Sequence, residues 1–129
     1  MQLDIGDEHD VGRARSLVRE LLRSQGWEAD RVEVVCLVLS ELVANALTHG
    51  GGLLGVSIDS DVQLARVVVA DRSVASPVVL APSPTRLGGR GMYLVDRLSE
   101  RWGIDPAGAG EGKQVWAEVA HDPGDRPGT

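Results

Sequence analysis

The sequence predicts an α+β fold, a two-layer sandwich in which a mostly antiparallel sheet carries its helices on one face. Two observations carry this prediction. From about Asp10 to Arg23 the apolar residues recur at helical spacing, ahead of a long, almost wholly apolar second helix, whereas Leu54, Val56 and Ile58 alternate as in a half-buried strand. The order along the chain is then helix, helix, hairpin, helix, strand, in one domain over residues 1–120.

Val11, Ala14, Leu17, Val18, Leu21 and Leu22 set one face of a first helix from about Asp10 to Arg23, with Arg13, Arg15, Arg19 and Arg23 opposite. Gly26 ends it. Asp30 is read as the N-cap of a second helix, with Glu33 three residues on as in a capping box. That helix runs to about Thr48 and stops at Gly50-Gly51-Gly52. The strand Leu54 to Ile58, a tight turn at Asp59-Ser60-Asp61 and a β-branched strand from Val62 to Ala70 form an antiparallel hairpin. Asp71 to Arg90 holds three prolines and reads as a long loop, of a length that is uncommon without a function. It is placed to cover a pocket between helices and sheet. Gly91 opens a short helix bearing Met92, Leu94, Val95 and Leu98 that ends near Trp102-Gly103. A Gly/Ala-rich loop from Asp105 to Gly112 leads to a last strand, Val115 to Val119. The tail from His121 to Thr129 is expected to be disordered.

The 129 residues are 43% hydrophobic but only 3% aromatic, so the core must be aliphatic. A formal net charge of -6 argues against non-specific binding to nucleic acid or an anionic membrane. It leaves nucleotide binding open, because backbone amides and helix ends decide anion binding locally. The single cysteine, Cys36, excludes an intrachain disulfide and reads as a buried, inert thiol. No apolar stretch is read as approaching the roughly 20 residues of a membrane span. The acidic N-terminus lacks the regions of a signal peptide, and a soluble cytoplasmic protein is the expectation.

Three segments carry candidate chemistry. Asn45 is the sole asparagine, set in a nearly apolar helix where its amide is costly to bury without partners. Glu41 lies four residues earlier and His49 four later, so all three share one helix face. Two oxygen-bearing side chains there suggest a polar ligand or a hard cation such as Mg²⁺. The plainer alternative is an amphipathic helix with an ordinary exposed face. Asp71 directly follows a Val-rich strand, where a carboxylate can accept from an exocyclic amine or merely start a turn. Third, Leu87-Gly88-Gly89-Arg90-Gly91-Met92 feeds an apolar helix, whose N-terminal amides and dipole favour an anion. Two other patterns fail. Ala107 to Gln114 lacks the leading Gly and final Ser/Thr of a P-loop, and the three histidines and one cysteine have no metal-ligand spacing.

In this order the segments resemble the GHKL ATPases (the Bergerat nucleotide-binding fold) from about Asp10 to Ala120. Within that superfamily they are most similar to small bacterial anti-sigma factor serine/threonine kinases. Ser40 to Gly50 looks like that group's N-box, Gly89 to Val95 like its second glycine box, and Gly112-Lys113-Gln114-Val115-Trp116 like its final strand motif. The resemblance implies ATP with Mg²⁺, the ion held by Asn45, and Glu41 as general base toward a hydroxyl or water. It implies Asp71 for the adenine amine, Ser73 and His49 beside the nucleotide, and Gly89, Arg90, Gly91 and Met92 at the phosphates, with Lys113 in the last binding motif. Asp71-Arg72-Ser73-Val74-Ala75 stands where the family has Asp-x-Gly-x-Gly. Thr48 replaces a common basic residue, and Gln114 a common threonine.

Three functions follow. The first is a kinase that phosphorylates a small antagonist protein and sequesters a sigma factor. The second is a nucleotide-dependent module that holds its partner without phosphotransfer. The third, a detached histidine-kinase catalytic domain, is disfavoured because no helical hairpin with a phosphoacceptor histidine precedes the region. By analogy a homodimer is also expected, through the first helix or a sheet edge.

Overall fold

The computed structural model describes residues 1–49, 51–73, 90–106 and 112–122, with residues 90 and 91 described by backbone alone. The expectations for Gly50, for residues 74–89 (Gly89 among them), for 107–111 and for the tail beyond Asp122 lie outside the described residues. Among the described residues three α-helices, α1 (Val11–Ser24), α2 (Ala29–His49) and α3 (Arg90–Leu98), accompany five strands. The strands are β1 (Gln2–Leu3), β2 (Leu53–Ser60), β3 (Leu64–Asp71), β4 (Arg101–Pro106) and β5 (Lys113–Ala120). They form one sheet in the order β1-β2-β3-β5-β4, with every neighbouring pair antiparallel. The α+β sandwich expected from the periodicity is the fold observed.

Helix α1 buries Ala14, Val18 and Leu22, one residue per turn on a single face. Its end is a Schellman motif: the Trp27 amide donates to Leu22 O and the Gly26 amide to Arg23 O, both at 3.0 Å. Gly26 sits at φ 87°, a left-handed value that a Cβ makes costly. Leu22 and Trp27, at the positions where this motif commonly carries an apolar pair, are both buried in the core. Gly26→Ala is expected to lower stability by about 1 kcal/mol in urea unfolding.

Helix α2 is the central element. It lines the core with Val32, Val35, Val38, Leu39, Leu42, Val43 and Ala46. Two sequence readings need correction here. Asp30 lies in the helix's first turn, because the helix starts at Ala29, and Glu33 makes no capping box with it. Glu33 is instead drawn to Arg19 of α1, in a two-bond ion pair of 2.8 and 3.0 Å. A capping box does form, but at Asp7 and Asp10 ahead of α1. At 21 residues and a mean hydropathy of 1.5, α2 is also long and apolar enough to cross a bilayer, contrary to the sequence reading. Its buried face against the sheet makes it a core helix. Cys36 is buried on that helix, and burial pushes its thiol pKa up.

The inner face of the sheet is aliphatic: Val56 and Ile58, then Ala65, Val67 and Val69, then Val115, Ala117 and Val119. Helix α2 packs on β2, β3 and β5, so this face and the helix layer share one core. On the opposite face Glu118 is held between Arg66 (3.3 Å) and Arg101 on the flanking strands. Strands β1 and β4 were not read from the sequence. Two residues show no period, and β4 contains Gly103 and Pro106, which an edge strand tolerates. Trp102, expected near a helix end, lies in β4 and donates through Nε1 to Asp96 at 2.9 Å.

The hairpin turn also falls later than expected, at residues 61–63, with Ser60 still in β2 and Val62 outside β3. Asp61 decides this, since its Oδ1 accepts from the Gln63 amide (2.7 Å) and the Leu64 amide (2.9 Å). These two donors hold its carboxyl pKa below the usual value, as the Gly6 and Asp7 amides do for Asp10. A lowered folded pKa adds stability at neutral pH that is lost as pH falls through it. The urea midpoint is therefore expected to drop below about pH 4, and Asp61→Asn to blunt that drop.

Candidate functional site

The C-terminal half of α2 rises out of the core with Leu42, Val43 and Ala46 buried and Glu41 and Asn45 half-buried beside them. Helical geometry sets these two a turn apart on one side. Neither makes a side-chain hydrogen bond or ion pair with any described residue. Polar groups set against a core without protein partners are available to a ligand. His49, the last residue of α2, is exposed at the same end. Among the described residues no group of three or more His, Cys, Asp or Glu forms a ready-made metal cage. The donor set present, a single amide oxygen with a carboxylate one turn away, fits Mg²⁺, which keeps water and takes phosphate oxygens for most of its ligands.

From His49 the chain turns through Gly51 (φ 70°) and Gly52 (φ 122°) into β2, whose Leu53 pairs with Asp71 at the end of β3. The Arg72 amide donates to Gly52 O at 3.1 Å and ties the two loops together. Asp71 therefore stands at the same end of the molecule as Asn45. It is fully buried, closing the inner row of β3 in which Ala65, Val67 and Val69 precede it. Its register partner on β5 is Lys113, the chain's sole lysine. The Lys113 ammonium donates to both carboxylate oxygens, at 2.9 and 3.0 Å, and the Ser73 amide donates to Oδ1 at 2.9 Å.

Gly112, just before Lys113, was read only as the first residue of the last strand motif, with no packing role assigned to it. At φ 126° it lies so close to β3 that a Cβ would meet Asp71 O at 2.1 Å. The signal available was a glycine directly before the strand that carries the lone lysine.

Helix α3 packs on α2 and starts at Arg90. It returns into β4 through only Ser99 and Glu100, and β4 ends at Pro106 opposite Lys113. The N-terminus of α3, with Arg90 and Gly91, therefore lies toward the end that carries Asp71. Met92 is a core residue, only 2% exposed, so its side chain belongs to the packing under the site. Two surface clefts of about 320 and 390 Å³ lie elsewhere, one beside Val62 and His121, the other between β1 and Leu53-Leu54. Neither holds any of the polar groups described above.

The arrangement is a helix face with acid and amide, a buried carboxylate at a strand end, and a helix N-terminus, all toward one end of the sandwich. A protein-family model described as a histidine kinase-like ATPase domain matches residues 6–119. No curated protein matches the chain. The family match spans every element that carries this site, and the chain belongs to the histidine kinase-like ATPase domain family, a membership that implies ATP binding.

Proposed function

We propose that the protein is an ATP-dependent serine/threonine kinase of the anti-sigma factor type, which phosphorylates a small antagonist protein and holds a sigma factor. The observation that carries this reading is the pairing of Glu41 with Asn45, half-buried and unengaged among the described residues, beside the helix that begins at Arg90. Asn45 would hold Mg²⁺ through its amide oxygen, and the ion when bound would offset charge on the phosphates. Glu41 accepts the proton of an incoming serine or threonine hydroxyl. The amides opening α3, with Gly89, Arg90 and Gly91, receive the phosphates, and the Asp71 carboxylate receives the base amine. His49 and Ser73 border the nucleotide. Partners in this reading are proteins, a second copy of the chain among them, and neither nucleic acid nor membrane takes part.

Incubation with radiolabelled Mg-ATP and a candidate antagonist from the same cell tests this. Label on a serine or threonine of the antagonist supports the kinase. ATP binding by calorimetry with no label on any partner supports the nucleotide-dependent binding module instead, and absent ATP binding ends both readings.

A further inference from the structure

The Asp71–Lys113 pair contains more charge chemistry than strand pairing requires. Both side chains are almost inaccessible, 1% and 6% exposed. A carboxylate offers about four lone-pair positions. Among the described residues three are taken: Oδ1 by Lys113 and the Ser73 amide, Oδ2 by Lys113. One acceptor position on Oδ2 is left.

We propose that Lys113 is the positioning residue that sets base specificity, by keeping Asp71 a pure hydrogen-bond acceptor with a single vacancy. Such a group complements the amine of a 6-amino purine and opposes the carbonyl of a 6-oxo purine. The inference rests on the reading in which Asp71 meets the base.

The physical reason lies in the burial. A carboxylate deprived of its cation in such a place is costly and escapes the cost by taking up a proton. A carboxylic acid then both accepts and donates, so it serves an amine or a carbonyl alike. Lys113 prevents that change without itself needing to touch the nucleotide. Gly112 contributes by letting the start of β5 lie directly against the Asp71 backbone, which brings the ammonium within reach of both oxygens.

Calorimetric titration with Mg-ATP and Mg-ITP tests the proposal in the full chain. Wild type is expected to favour ATP at least tenfold, the cost of one mispaired buried group. In Lys113→Met that ratio should fall below about threefold. The double variant Asp71→Asn/Lys113→Met has no net buried charge, so it provides a folded test should the single variant fail to fold. Its amide both donates and accepts, so the ratio should again be small. A lysine with only a structural role would lower thermal stability and weaken both nucleotides alike, leaving the ratio at its wild-type value, and that result overturns the proposal. Equal affinity of wild type for ATP and ITP overturns it as well, while leaving ATP binding intact. Retention of the tenfold preference by the double variant is a third overturning result. Should wild type bind neither nucleotide, the reading of the site fails first and this inference falls with it.

Discussion

Glu41→Ala is expected to bind Mg-ATP as wild type does yet to transfer phosphate at least a hundredfold more slowly, whereas changes at Asn45 remove Mg-dependent binding altogether. The two residues are a turn apart on α2, but the tasks proposed for them differ. Loss of a general base costs about 10²- to 10⁴-fold in the chemical step and leaves the ground-state complex alone. Asn45→Ala removes the amide oxygen proposed to hold the cation. Asn45→Asp keeps an oxygen but adds a negative charge beside both Glu41 and the triphosphate. Both side chains are half-exposed and make no bonds among the described residues, so the variants should unfold within about 1 kcal/mol of wild type. Calorimetry with Mg²⁺ and with chelator, beside a label-transfer assay, separates the effects. Normal transfer by Glu41→Ala would remove this residue from the chemistry, and undiminished Mg-dependence in Asn45→Ala would remove that one from the ion.

Gly112→Ala should be the most damaging single-methyl change in the described part of the chain. The added carbon would lie 2.1 Å from Asp71 O, 3.1 Å from Asp71 C and 3.2 Å from Arg72 Cα, all backbone atoms, at a φ of 126°. Relief requires β5 to part from β3 where Lys113 meets Asp71, so the buried ion pair opens with it. Strain and an uncompensated buried charge together amount to roughly 3–5 kcal/mol, against a total stability of about 5–15 kcal/mol. Gly12→Ala serves as the control. Nothing lies within 4 Å of its added carbon, it sits in α1, and it should be neutral or slightly stabilising. Urea midpoints of the two variants compared with wild type check the contrast, and a loss under about 1 kcal/mol in Gly112→Ala would contradict the close approach.

Local period made much of this fold readable. The apolar spacing of α1 and α2 and the alternation of β2, β3 and β5 are properties of neighbouring residues, and so is the common face of Glu41 and Asn45. The position of Asp71 at the close of a valine-rich strand was legible for the same reason. Where the reading erred, a side-chain bond that period does not register had intervened. Glu33 has capping chemistry three residues after Asp30, but Asp30 lies inside the helix and Glu33 pairs at 2.8 Å with the Arg19 guanidinium, which carries a full charge. The turn moved to residues 61–63 because the Asp61 carboxylate accepts from the amides two and three residues on, a local turn contact that apolar alternation does not reveal.

The amino-acid order alone determined an α+β sandwich with an aliphatic core, and which side chains of α2 share a face, because helix and strand geometry follow from residue periodicity. Tertiary structure decided that β1 and β4 are strands, since a strand exists only through the bonds of its neighbour. It also decided that the lone lysine neutralises Asp71 across 42 residues and that Gly112 must lack a side chain. Those facts depend on register between distant segments, where a shift of one residue would turn every side chain to the other face.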